Sequence, residues 1–89
     1  MMSSEILKEK NELFSAILSL SSLEECDEFF KDLCTEKEIA SMVGRIMAAK
    51  LLKKGETYEQ IISKTDISSA TLSRVSKALK SGEGYKKIL

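Results

Sequence analysis

Between Thr57 and Leu79 two short amphipathic helical patterns follow one another across a tight joint, and no other stretch restricts the fold as strongly. Thr57 stands where a helix N-cap belongs, and Gln60 three residues on completes a T-x-x-Q box that satisfies two otherwise orphaned backbone donors. Ile61 and Ile62 give this helix its apolar side. The joint falls at Asp66-Ile67, and so tight a joint between two helices needs one residue able to take positive φ where the first helix stops. Asp tolerates that state better than most residues with a side chain. Ser68 or Ser69 then caps a second helix, whose Leu72, Val75 and Leu79 repeat at i, i+3 and i+7.

The opposite side of the second helix carries Ser69, Ala70, Thr71, Ser73, Arg74 and Lys77. Small and hydrogen-bonding residues followed by cations suit a helix whose N-terminal end enters a major groove while later turns touch phosphates. On this reading Ser69, Ala70, Thr71 and Ser73, with Ser68 at the cap, face bases in double-stranded DNA. Arg74, Lys77, Lys64 and Thr57 position the nucleic-acid backbone. The same pattern also fits a helical hairpin with a polar outer face, serving protein interaction without sequence-specific DNA binding.

Charge gives the pair of helices a polarity. The chain is neutral overall, yet residues 1–44 hold four Lys/Arg against ten Asp/Glu, a net −6, and residues 45–89 hold ten against four, a net +6. Such a field turns the C-terminal half toward polyanions. Charge pairing between opposite halves of two subunits would use the same asymmetry.

The remaining pattern is helical. A first helix is expected over about Ser4 to Leu20, with an apolar arc (Ile6, Leu7, Leu13, Phe14, Ile17, Leu18, Leu20) wide enough to meet two surfaces. Ser22 and Glu25 form an S-x-x-E box opening a second helix with a buried stripe of Leu23, Cys26, Phe29, Phe30 and Leu33. Thr35 and Glu38 open a third, whose stripe of Ile39, Met42, Val43, Ile46, Met47, Leu51 and Leu52 is expected to form the central scaffold, closed by Gly55. Gly82 and Gly84 end the regular structure, leaving a tail that either frays or packs. The fold class is therefore all-α, with five to six short helices in one domain spanning 1–89. A lone chain of this length hides only about 60% of its unfolded surface, so a second copy would add stability.

Other chemistry finds little support in the composition. With no histidine and only Cys26 and Cys34, a tetrahedral metal site would have to be improvised from carboxylates, and both cysteines read as reduced, small apolar residues. No phosphate-binding glycine loop and no cysteine with a base at motif spacing point to catalysis, so neither catalytic residues nor a cofactor are expected. MMSSEILKEK has neither a long apolar core nor a cleavage pattern, so the expected location is cytoplasmic, away from membranes.

The run LCTEKEIASMVGRIMAAKLLKKGETYEQI, with its L-x-T-x-x-E-I helix start and K-G-x-T-Y-E link, followed by SSATLSRVSKALKSG, resembles the Trp-repressor superfamily, and most closely its YerC/YecD-type branch. The resemblance covers about half the chain, from Leu33 to Lys80, and SLEECDEFFKDL looks like the branch's lead-in. It implies a Trp-repressor-like intertwined homodimer that binds operator DNA as a transcriptional regulator, with two helix-turn-helix heads about one DNA turn apart. In these terms residues 1–34 are dimerisation helices, 35–56 the scaffold, 57–81 the helix-turn-helix and 82–89 the tail.

The resemblance also implies an effector position. Thr35, Arg45 and Arg74 match the threonine and two arginines that help hold the amino acid in the Trp repressor. Two departures argue against tryptophan as co-repressor. Val75 replaces a small glycine and fills space an indole would need, and Ala78 replaces a serine that helps bind the amino group. The arginines then serve either another small anion or DNA phosphate, and the basic face favours phosphate. At the head, Ile62 stands where a small residue is usual and Asp66 where glycine is usual.

Overall fold

The structure, a computed structural model, describes the backbone of residues 2–89 and the side chains of residues 5–89. Seven helices are found among the described residues, with no strand: α1 (Met2–Leu7), α2 (Lys10–Leu18), α3 (Leu23–Leu33), α4 (Glu36–Lys53), α5 (Tyr58–Thr65), α6 (Ser69–Ser81) and α7 (Gly84–Ile88). They divide into two compact units, the first ending at Thr35 and the second spanning Glu36–Leu89.

In the first unit the single long helix expected over Ser4 to Leu20 is two. The chain turns at Lys8 and Glu9, where the amides of Lys8 and Glu9 donate to Glu5 and Ile6 three residues back, at 3.2 and 2.9 Å. The cause is local: residues 8–12, KEKNE, carry no apolar side chain, so no packing holds one straight helix through them. Ser22 caps α3 by accepting from the Glu25 amide at 3.1 Å, but the Glu25 carboxylate reaches past it to the amide and hydroxyl of Ser21, at 2.8 and 3.1 Å. Phe29 and Phe30 are half-buried and meet edge to face, with centroids 5.6 Å apart. Cys26 and Cys34 are free thiols, also half-buried.

The stripe expected to be buried along α3 is not. No residue of α2 or α3 is fully buried, and Leu18 and Leu23 are 84% and 89% exposed. These helices hold plentiful apolar surface without a core of their own.

The second unit has one. Ala48, Ala49 and Leu51 of α4 pack with Ile61 of α5 and with Leu72 and Val75 of α6, and Leu52, Ile62, Ile67, Tyr85 and Leu89 close around them. At its C-terminal end α4 finishes in a Schellman motif. The Gly55 amide donates to Leu52 at 3.0 Å and the Glu56 amide to Leu51 at 3.1 Å, with Gly55 at φ +89°.

The inward face of α4 differs from the expected stripe. Its buried residues are Gly44, Ala48, Ala49 and Leu51, whereas Met42, Val43, Ile46 and Met47 lie on the other side, 37–52% exposed. Small residues face inward because α5, α6 and the turn between them approach α4 closely; a Cβ on Gly44 would lie 2.9 Å from Ile67 Cγ2. The C-terminal tail, in turn, packs rather than frays: its residues 84–88 form α7, against α6.

Candidate nucleic-acid interface

The two helices of the head are set by caps that the chain encodes within four residues of each joint. Thr57 Oγ1 accepts from the Gln60 amide at 3.2 Å while Gln60 Oε1 accepts from the Thr57 amide at 2.8 Å, the complete capping box. Asp66 ends α5 in the left-handed region, φ 61° and ψ 17°, its amide donating to Ile62 O at 2.9 Å. Ser68 then caps α6 by accepting from the Thr71 amide at 3.1 Å, and its hydroxyl donates to Thr71 Oγ1 at 3.0 Å. One non-glycine residue at positive φ followed two residues later by an N-cap makes the joint between α5 and α6 tight.

With Leu72, Val75 and Ser76 buried, the rest of α6 is sorted by exposure. Ser69, Ala70, Ser73, Arg74 and Lys77 are exposed and Thr71 is half-buried. Side chains four residues apart share a helix face, so Ser69 with Ser73 and Ala70 with Arg74 form a continuous polar strip ending in cations. Lys64 is committed elsewhere, since its Nζ donates to Glu56 Oε1 at 2.6 Å in an ion pair that closes over the start of α5. Glu56 carried no functional reading in the sequence; eight residues separate it from Lys64, beyond any helical spacing rule. Among the described residues Arg45, Arg74 and Lys77 have no acidic partner.

Arg45 of α4 and Arg74 of α6 are brought together. They line one cavity of about 150 Å³ with Thr71, Val75, Ala78 and Tyr85. Thr35 belongs to the other unit, immediately before α4, and is exposed. Two residues of this neighbourhood were not singled out from the sequence. Gly44, an isolated glycine inside a strongly helical run, is the kind of signal that marks close backbone approach. Tyr85 gave none, because a five-residue helix that begins on a glycine has no period to read. Among the described residues no three His, Cys, Asp or Glu side chains are grouped to hold a metal, and no helix is long and apolar enough to cross a membrane.

Comparison with known proteins agrees with this architecture. Residues 8–89 match the family model described as Trp repressor protein. The uncharacterised protein YerC of Bacillus subtilis (strain 168) is 49% identical over 75 residues, covering 84% of this chain and 72% of its own. A crystal structure of a Trp-repressor candidate from Staphylococcus aureus superposes with a TM-score of 0.84 at 48% identity, over 89% of this chain and 80% of that one. A TrpR-like protein from Eubacterium eligens ATCC 27750 gives 0.83 at 46%, over 88% and 81%. With a family match across nearly its whole length and relatives approaching half identity, the chain belongs to the Trp repressor family.

Proposed function

We propose that this protein is a sequence-specific DNA-binding transcriptional regulator, a repressor, which acts in the cytoplasm as a homodimer on operator DNA. One observation carries the reading: α6 is anchored by Leu72 and Val75 and presents an exposed strip, Ser69, Ala70 and Ser73 leading to Arg74 and Lys77, on the half of the chain with net charge +6. Hydrogen-bonding groups at the N-terminal end read base edges, and the cations behind them meet phosphates. Ser68 and Thr57 contribute as caps that aim the two helices, and Lys64 reaches phosphate only by exchanging its Glu56 partner.

The dimer rests on apolar surface. Met42, Val43, Ile46 and Met47 on α4, and Phe14, Leu18, Leu23 and Leu33 in the first unit, are all exposed. Single exposed apolar residues are ordinary, but a continuous helical stripe of four, in a chain whose α2 and α3 have no fully buried residue, is the surface of an interface. In this reading residues 1–34 serve dimerisation, and two heads related by a twofold axis address half-sites one DNA turn apart.

Tryptophan is not the switch. Val75 and Ala78 line the cavity between the two arginines, leaving about 150 Å³, a volume that in an engineered apolar cavity admits benzene. The arginines serve phosphate along the basic face, and their convergence on one half-open cavity favours a second role for them, holding a small anion.

A gel shift with purified protein on random and genomic DNA at low salt tests the function. A shift that sharpens on selected genomic fragments is the expected result. Absence of any shift at micromolar dimer would instead favour a protein-interaction module that retains the helix-turn-helix only as architecture.

A further inference from the structure

We propose that Tyr85 is the residue that sets the size of ligand admitted to the Arg45/Arg74 cavity, limiting it to small organic anions with no more than one ring. This rests on the small-anion reading of that cavity and goes beyond it, to a residue of the C-terminal helix.

Three elements wall the cavity: α4 through Arg45, α6 through Thr71, Arg74, Val75 and Ala78, and α7 through Tyr85. The four residues of α6 fall at i, i+3, i+4 and i+7, one continuous face, and Val75 on that face is fixed in the core. Arg45 and Arg74 supply charge and hydrogen-bond donors for a carboxylate or phosphate, and neither has an acidic partner among the described residues. Charge therefore selects the sign of the ligand, while its bulk is decided by whichever wall is large and removable. Among the described residues Tyr85 is the only aromatic one that lines the cavity.

Its position is built in. The chain leaves α6 at Gly82, whose amide donates to Ala78 O at 2.8 Å, and a Cβ there would lie 2.7 Å from the same oxygen. That close approach folds α7 back along α6, so that Tyr85 returns to the level of Ala78 and packs against the core with Leu89. Tyr85 is half-buried, so its ring serves both as core and as wall.

Calorimetric titration of the intact protein with benzoate and with 2-naphthoate, repeated on Tyr85→Leu and Tyr85→Ala, tests the proposal. Tyr85→Leu keeps apolar packing on the core if the alanine variant unfolds, and thermal melts and a gel shift on the same samples report fold and DNA binding separately. Wild type should favour benzoate by about tenfold or more, the scale on which pockets reject added apolar bulk, and the variants should lose that preference. An unchanged ratio would overturn the role of Tyr85 while leaving the anion site intact. Absence of binding by either acid to any of the three proteins would remove both the role and the site, with the DNA reading judged by its own gel shift.

Discussion

Gly44 of the scaffold helix and Ile67 of the turn are in direct contact, and a Cβ on the glycine would come within 2.9 Å of Ile67 Cγ2. This contact seats the joint of the helix-turn-helix on α4, so the angle of the reading head depends on an absent side chain. Gly44→Ala would ordinarily strengthen a helix by up to about 1 kcal/mol. Here the methyl group meets a stiff β-branched residue, and overpacking of this kind costs about 1–3 kcal/mol. Net destabilisation of about 1 kcal/mol is expected in denaturant or thermal unfolding, with partial recovery in Gly44→Ala/Ile67→Ala. A variant as stable as wild type would mean that the joint is free to shift.

Asp66 is the one non-glycine residue at positive φ among those described. Asn tolerates the left-handed region about as well as Asp, so Asp66→Asn should change stability by less than about 0.5 kcal/mol, whereas a β-branched residue is strained there. Asp66→Val is therefore expected to cost about 1–3 kcal/mol by thermal melt. Equal stability of the two variants would show that the joint does not hold its left-handed residue.

The apolar stripe of α4 can be separated from the core of the same helix. Met42→Glu with Ile46→Glu alters exposed positions, where surface changes in a monomer stay within about 0.5 kcal/mol. If the stripe is the dimer interface, sedimentation of the double variant gives a monomer and its melting temperature falls and no longer rises with protein concentration. A variant that still sediments as wild type would place the interface elsewhere.

For the cations of α6, salt dependence is the informative readout. Arg74→Ala with Lys77→Ala should weaken DNA binding nearly uniformly across sequences and reduce the slope of log K against log salt by about 0.9 for each phosphate that these side chains neutralise. An unchanged slope in fluorescence anisotropy would take both residues out of the interface.

How far the sequence reaches into this structure depends on distance along the chain. The caps at Thr57 and Gly55 and the turn at Asp66 could be read directly, and the cap of α6 to within one residue, Ser68 or Ser69, because each is decided by residues a few positions apart. The inner face of α4 could not. Periodicity follows the bulk of Met42, Val43, Ile46 and Met47, whereas close packing by α5 and α6 selects the small face at Gly44, Ala48 and Ala49. The apolar arc of the first helix likewise ran on through the polar stretch KEKNE, where the chain turns. Of the positions of α6 expected to face outward, all but the half-buried Thr71 followed from their spacing, while the commitment of Lys64 to Glu56 and the return of Tyr85 to the arginine cavity needed tertiary structure.

The central claim, that α6 reads DNA sequence, is met most directly by selecting genomic fragments with the purified protein and comparing its affinity for the selected site and a scrambled copy at physiological salt. A preference of at least about a thousandfold for the selected site, reduced on that site alone by Ser69→Ala with Ser73→Ala, is the expected result. Equal affinity for selected and scrambled DNA would contradict the account.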